Sequence, residues 1–251
     1  MTINKNANKA DLIKIKAVLF DMDGVLIEAK DWHYEALNRA LDIFGIPISR
    51  IDHETTFDGL PTKKKLEMLS IDRGLPRQLH GFLNDLKQQY TVEMVHTLCK
   101  PKFAQERLLS ALKQEGYRLA VCSNSILSTV KLMMEKAALA PYLDLMVSNE
   151  DVAKPKPAPD MYLKAMEVFG LRPEQCLIVE DNENGIKAAM ASGAHLLVVE
   201  DVRQTNLSNI KSCIDQIECS RSSPSVVTST LPVVPRMLPR NALTTPLVAH
   251  G

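Results

Sequence analysis

Five short runs of nearly unbroken apolar, β-rich sequence constrain this chain more than any other feature. They are "AVLFD" from Ala17, "YRLAVCS" (117–123), "LDLMVS" (143–148), "CLIVE" (176–180) and "HLLVVE" (195–200). A strand with one wet face alternates apolar and polar residues. These runs do not alternate, so each is expected to be covered on both faces, as in parallel sheets. Helical patterns separate the later runs. Phe103, Leu108, Leu109 and Leu112 mark one, closed by Gly116. Val130, Met133, Met134 and Ala137 mark another, before Pro141, and Met161, Ala165, Met166 and Phe169 a third, stopped by Gly170. Strand and helix in alternation predict an α/β fold, a Rossmann-like parallel sheet with right-handed crossovers.

The interval between the first two runs breaks this rhythm. Residues 22–116 hold no strand signal. They hold helical patterns over Asp31 to Phe44, Pro61 to Arg73, and Pro76 to about Lys100. This predicts an all-helical cap module, residues 29–100, inserted after the first strand. The core is then residues 1–28 and 101–219. Such an insertion is expected to sit over the carboxyl ends of the strands, where open α/β sheets bind ligands. From Arg221 onward there is no Asp, Glu or Lys, and five of the 14 prolines fall among Ser, Thr and Val. Residues 220–251 are therefore expected to form a mostly disordered tail.

Composition narrows the partners. Lys and Arg balance Asp and Glu at 30 each, which gives no argument for a nucleic-acid or membrane-surface partner. No apolar stretch approaches the roughly 18 residues of a membrane span. The polar start "MTINKNANKADLIKIK" does not read as a secretory signal, so a cytoplasmic location is expected. Five cysteines without a C-x-x-C pair are expected to be buried reduced thiols.

The chemistry gathers at the strand ends. Asp21 and Asp23 follow the first run, one Met apart and ahead of Gly24. Two carboxylates this close are uncomfortable as anions unless one is protonated or a cation neutralises them. In a parallel sheet all strand ends lie at one edge. Ser123 and Asn124, the "KPKPAP" segment (154–159), and Glu180 with Asp181 join the pair there. Carboxylate oxygens suit Mg²⁺, and no His or Cys cluster suggests zinc. A carboxylate can take a phosphoryl group, and a second carboxylic acid can protonate a leaving oxygen and then activate water.

"FDMDGVL", "VCSNS", "KPKPAPD" and "IVEDNENGIKAA" resemble, in order and spacing, the four motifs of the haloacid-dehalogenase-like phosphotransferase superfamily. The helical insertion resembles that family's C1-type cap. The resemblance covers roughly Lys16 to Val199. It implies Asp21 as nucleophile and Asp23 as general acid/base. It implies Ser123 as a phosphoryl-binding hydroxyl and Lys156, rather than Lys154, as the lysine that neutralises nucleophile and phosphate. Asp181, with Glu180 beside it, would complete a Mg²⁺ site with Asp21 and the backbone carbonyl of Asp23.

Further residues carry weaker signals. His33, at the start of the first cap helix, is read as a substrate contact or core–cap hinge residue, against a packing role. Trp32 is read as packing. "FDGLPTKKK" (57–65) resembles the family's substrate-specificity loop, in which Gly59 permits close approach. Pro61 and Thr62 open a helix whose positive end attracts anions. Lys63, Lys64 and Lys65 are read as a solvated face, against a phosphate clamp. Asn124 is expected to orient substrate or backbone, and Glu183 to be exposed. The leading expectation is a Mg²⁺-dependent phosphatase acting on a small phosphorylated metabolite, a sugar phosphate first. A β-phosphoglucomutase-like phosphomutase is the alternative, weakened by Thr62 where a cap arginine would be expected and by the lack of a lysine just after Ser125. A 2-haloacid dehalogenase and a non-catalytic phosphometabolite-binding protein rank lower.

Overall fold

The computed structural model describes residues 14–219 and 226–228. Six parallel strands form one sheet in the order β3-β2-β1-β4-β5-β6. They are β1 (Ala17–Phe20), β2 (Arg118–Cys122), β3 (Leu145–Val147), β4 (Cys176–Glu180), β5 (His195–Val198) and β6 (Val226–Thr228). The first five match the apolar runs. The sixth falls inside the segment expected to be a disordered tail and pairs Val227 with Leu197. The remainder of that tail lies outside the described residues.

The helices fall into two groups. Those of the inserted segment are α1 (Lys30–Asp42), α2 (Arg50–Asp52), α3 (Thr62–Arg73) and α4 (His80–Leu98). Those of the core are α5 (Phe103–Gln114), α6 (Leu127–Lys136), α7 (Asp160–Phe169), α8 (Glu183–Ser192) and α9 (Leu207–Cys219).

Successive strand residues point to opposite faces. Val18 and Phe20 pack with side chains of α5, α6 and α9, such as Leu109, Met133 and Ile214. Ala17 and Leu19 pack on the other face with Met161 and Ala165 of α7 and Ala188 of α8. Coverage on both faces is why the strand runs do not alternate. The inserted helices close a third apolar core of their own, with Leu37, Leu41, Phe57, Leu66, Leu69 and Leu83. A chain that left this segment unpaired would expose all of these side chains, at roughly 1.5–3 kcal/mol for each.

Two helix faces differ from their patterns. Phe44 lies beyond the end of α1, exposed, edge-on to Phe82. Phe103 opens α5 with 78% of its surface exposed, so the apolar stripe of that helix starts at Leu108. Trp32 is partly buried against the sheet-side core, in keeping with packing. Cys99, Cys122, Cys176 and Cys213 are buried free thiols, whereas Cys219 is exposed. Among the described residues no helix is long and apolar enough to cross a membrane.

The central position of β1 gives a stability test. Leu19 is fully buried between Ala120 and Ile178 of its neighbours, while Ile71 is 75% exposed. Leu19→Ala should cost about 2–5 kcal/mol in urea unfolding, and Ile71→Ala about 0.5 kcal/mol or less.

Candidate active site

The sheet ladder runs one residue past β1 and β2. Asp21 donates its N–H to the Val179 carbonyl at 3.0 Å, and Ser123 donates to Val147 at 2.9 Å. Both side chains are thereby fixed at the carboxyl edge of the sheet. The chain then turns sharply. Gly24 adopts φ +92° and donates to the Ile27 carbonyl at 2.7 Å. A Cβ on Gly24 would fall 1.9 Å from Asp181 Oδ2, so only glycine lets this turn approach the carboxylate of the β4 loop.

Lys156 reaches this edge from the loop between β3 and α7. Its ammonium donates to Asp21 Oδ1 at 2.6 Å, Glu180 Oε1 at 2.7 Å and the Cys122 carbonyl at 2.8 Å. All three ammonium protons are used in a place 2% exposed. Lys154 is exposed, as the motif match implies. Tyr162 of α7 donates its hydroxyl to the same Glu180 oxygen at 2.5 Å, and the Asp181 N–H binds the other at 3.1 Å. Glu180 therefore lies in the carboxylate cluster with both oxygens engaged by the protein.

Charge follows from this packing. Burial pushes the Asp21 carboxyl well above the ordinary range, and Lys156 opposes that push while Glu180, Asp181 and Asp23 add to it. Burial alone would lower Lys156, but Asp21 and Glu180 hold it above the ordinary lysine range. Burial raises Asp181 to about 6 against the pull of Lys30, whose ammonium lies 2.5 Å from Asp181 Oδ2. Asp21, Glu180 and Asp181 present oxygens within 4.8 Å of one another. Asp21, Asp23, Glu180 and Asp181 crowd their carboxyls at the strand ends, with the ammoniums of Lys156 and Lys30 among them. The donors are all oxygen, so a divalent hard cation such as Mg²⁺ fits the site. The Lys30 side chain is 38% exposed.

Asp23 faces the inserted helices. Its Oδ2 lies 3.1 Å from His33 Nε2, and His33 Nδ1 lies 3.2 Å from the ammonium of Lys87 on α4. Burial lowers His33, and the neighbouring Asp23 opposes that push. Burial favours the acid form of Asp23, but His33, Lys87 and Lys156 together pull it below the ordinary value. Asp23 Oδ1 is buried without a hydrogen-bond partner among the described residues and lines the cavity.

The loop after Phe57 is fastened over the strand ends. Asn124 donates to the Gly59 carbonyl at 2.8 Å and to the Lys156 carbonyl at 3.1 Å, while accepting the Lys156 N–H at 3.0 Å. Asn184 donates to the Asp58 carbonyl at 3.1 Å. Asn124 thus orients backbone. Gly59, at φ +69°, leaves no room for a Cβ, which would stand 2.7 Å from Asn182 Oδ1. The cavity is about 190 Å³ and is lined by Asp21, Asp23, His33, Ser123, Asn124 and Lys156, among others.

One expectation fails here. Lys63 and Lys64 are exposed, but Lys65 is 7% exposed and lines the cavity. Its place in the first turn of α3, three and four residues before Met68 and Leu69, puts it on the inward face. Glu183 is exposed, paired with Lys187. Lys30, Lys87 and Tyr162 were not singled out in the sequence. For Lys87 a signal existed: Leu83, Lys87, Thr91 and Val95 recur every four residues and are all buried, so the lysine interrupts an apolar stripe.

Lys87 also tests the electrostatics. Burial, with Lys65 adding repulsion and Asp23 opposing, lowers it from 10.5 to about 7. Between those values the unfolded chain binds more protons than the folded one, so this group makes stability rise with pH. Lys87→Met should therefore be more stable than the parent by about 1–3 kcal/mol at pH 7, an advantage that fades toward pH 10 in urea unfolding.

Comparison with known proteins gives a consistent frame. The chain is 30% identical over 179 residues to a phosphoglycolate phosphatase of Aquifex aeolicus, covering 71% of this chain and 82% of that protein. It is 27% identical to the β-phosphoglucomutase of Bacillus subtilis, covering 71% and 80%. The crystal structure of CbbY from Rhodobacter sphaeroides with phosphate has the same fold, at TM-score 0.67 and 23% identity, covering 73% and 85%. The model of the haloacid dehalogenase-like hydrolases matches residues 18–199, and the chain belongs to that family.

Proposed function

We propose that this hydrolase is a Mg²⁺-dependent phosphatase that cleaves small phosphorylated metabolites through an aspartyl phosphate. The observation behind this is the Lys156 ammonium held between Asp21 and Glu180 at the floor of the cavity. It opposes the burial that favours the acid form of the nucleophile and presents positive charge where phosphate oxygens would lie.

The residues divide the work. Asp21 attacks phosphorus and forms the acyl phosphate as the bond to the leaving oxygen breaks. Asp23, which takes up a proton together with the bound monoester, acts as the acid and gives that proton to the leaving oxygen. Water then attacks the phosphorus of the aspartyl phosphate, Asp23 takes the water's proton, and inorganic phosphate and the Asp21 carboxylate are released. His33 and Lys87 hold the Asp23 carboxyl in place and stabilise its ionised form. Ser123 and the Lys156 ammonium bind the transferring oxygens. Asp21, Asp181 and the backbone carbonyl of Asp23 would hold Mg²⁺, with Glu180 beside them anchoring Lys156. The ion supplies charge neutralisation between nucleophile and phosphate. Relatives named for phosphoglycolate and for phosphorylated carbohydrates support phosphate monoesters as substrates.

A phosphomutase is the second reading, because a β-phosphoglucomutase is among the relatives. Thr62 stands where that chemistry would be served by a cap arginine, which favours hydrolysis. From β-glucose 1-phosphate, phosphate release should exceed glucose 6-phosphate formation, with no stimulation by a sugar bisphosphate. Isomer formation that outpaces release and needs the bisphosphate would establish the mutase. Asp21→Asn should retain less than about a hundredth of activity on p-nitrophenyl phosphate with the fold unchanged by circular dichroism. EDTA should stop turnover and Mg²⁺ restore it. Full activity without a divalent ion would sink the metal assignment.

A further inference from the structure

Lys30 is the first residue of α1, at the point where the core chain becomes the inserted segment. Three contacts place it. Its stem crosses the turn after Asp23, where a Cβ on Gly24 would fall 2.5 Å from Lys30 Cε. Its ammonium lies 2.5 Å from Asp181 Oδ2, on a side chain with no exposed surface. Asp58, in the loop after Phe57, has a carboxylate oxygen 3.9 Å from the same ammonium. The other cation of the cluster is held differently. Lys156 directs its ammonium protons to Asp21, Glu180 and the Cys122 carbonyl, all deep in the protein. The ion pairs of Lys30 among the described residues are with Asp181 and Asp58, and its side chain is partly exposed.

Asp181 is thus neutralised by a group of the protein itself. An ammonium and a divalent ion repel each other, and Mg²⁺ requires near-octahedral oxygen geometry, so the two compete for this carboxylate. We infer that Lys30 is a positioning residue for the metal: it holds Asp181 as a built-in counterion and yields it to Mg²⁺, and so sets the affinity of the site for the ion. This rests on the Mg²⁺ assignment within the phosphatase reading. The displaced ammonium has a place to go. Asp58 is a second carboxylate within reach, and the exposed part of the side chain meets water instead of protein. Lys30 and Asp58 belong to the inserted segment and Asp181 to the core. The exchange therefore ties arrival of the metal to a contact between cap and core.

The test reads Mg²⁺ binding to the full chain by isothermal titration calorimetry, without substrate. Lys30→Met should bind Mg²⁺ at least about tenfold more tightly than the parent, because the ion no longer competes with an internal charge. The same variant should melt at a lower temperature in EDTA and gain more on addition of Mg²⁺. Lys30→Gln gives the same readings should Lys30→Met not fold. Lys30→Arg keeps the charge and should stay within about threefold of the parent affinity. Lys64→Met removes an exposed cap lysine paired with Glu67 and should leave the affinity unchanged. An affinity within about twofold of the parent in Lys30→Met overturns the inference, because Lys30 is then a surface ion pair only. Weaker binding overturns it as well, because Lys30 then holds the site in shape. Equal tightening in Lys64→Met overturns it in favour of a general field of the cap. Mg²⁺ binding by the parent leaves the metal assignment standing in each of these cases. No Mg²⁺ binding by the parent, with turnover of p-nitrophenyl phosphate that EDTA does not affect, overturns the metal assignment and the inference together.

Discussion

The bond between Lys156 and the carboxylates of Asp21 and Glu180 is the interaction on which the site depends. Each partner comes from a different part of the chain, and each is buried. A buried ion pair is rarely a net gain over apolar packing, yet removing one member leaves an uncompensated charge. The fold meets that constraint with further hydrogen bonds. Tyr162 and the Asp181 N–H complete Glu180, and the Cys122 carbonyl completes Lys156. Gly185 shows how tight this packing is, since a Cβ there would fall 1.8 Å from Glu180 Oε1. The family of the chain can therefore be read as a set of small residues and donors placed to make one buried lysine tolerable.

Much of this was legible beforehand. Unbroken apolar runs identified β1 to β5 because both faces of the sheet are covered, and a parallel sheet places all their ends at one edge. That edge gathered Asp21, Asp23, Ser123, the segment 154–159, Glu180 and Asp181, and the motif resemblance selected Lys156 within the segment. Legibility stopped where position depends on which side of a helix turns inward. The three consecutive lysines 63–65 look alike in sequence, but successive residues on a helix point about 100° apart. Only packing of Leu66 and Leu69 against the cap core decides that Lys65 faces the cavity. Lys30 escaped for a different reason: its partner, Asp181, is about 150 positions away. β6 escaped because Val226–Thr228 is three residues in a proline-rich setting, too short to register as a run.

The contact that holds the cap over the core differs in kind from the site beneath it. Gly59 and Asp58 are held by the amides of Asn124 and Asn184 through neutral hydrogen bonds to backbone carbonyls. Each is worth about 1 kcal/mol net, far less than the charged cluster below. A closure built this way can be undone on the scale of a product-release step without disturbing Lys156. Asn124 also grips both sides of the Lys156 backbone, so the same residue that closes the cap fixes the lysine loop. Closure and alignment of the phosphate site are thereby coupled through one side chain.

The two cap lysines show where stability was given up. Burial depresses Lys65 to about 8 and Lys87 to about 7, so near neutral pH the folded chain carries charge that it would be more stable without. Leucine or methionine at either place would extend the stripes of α3 and α4 at no such cost. A cavity whose floor is rich in carboxylates repels an incoming phosphate, and cations on the opposite wall offset that repulsion before any contact with Lys156 forms. Charge on the cap therefore does for the empty site part of what the substrate's own neutralisation does for the filled one.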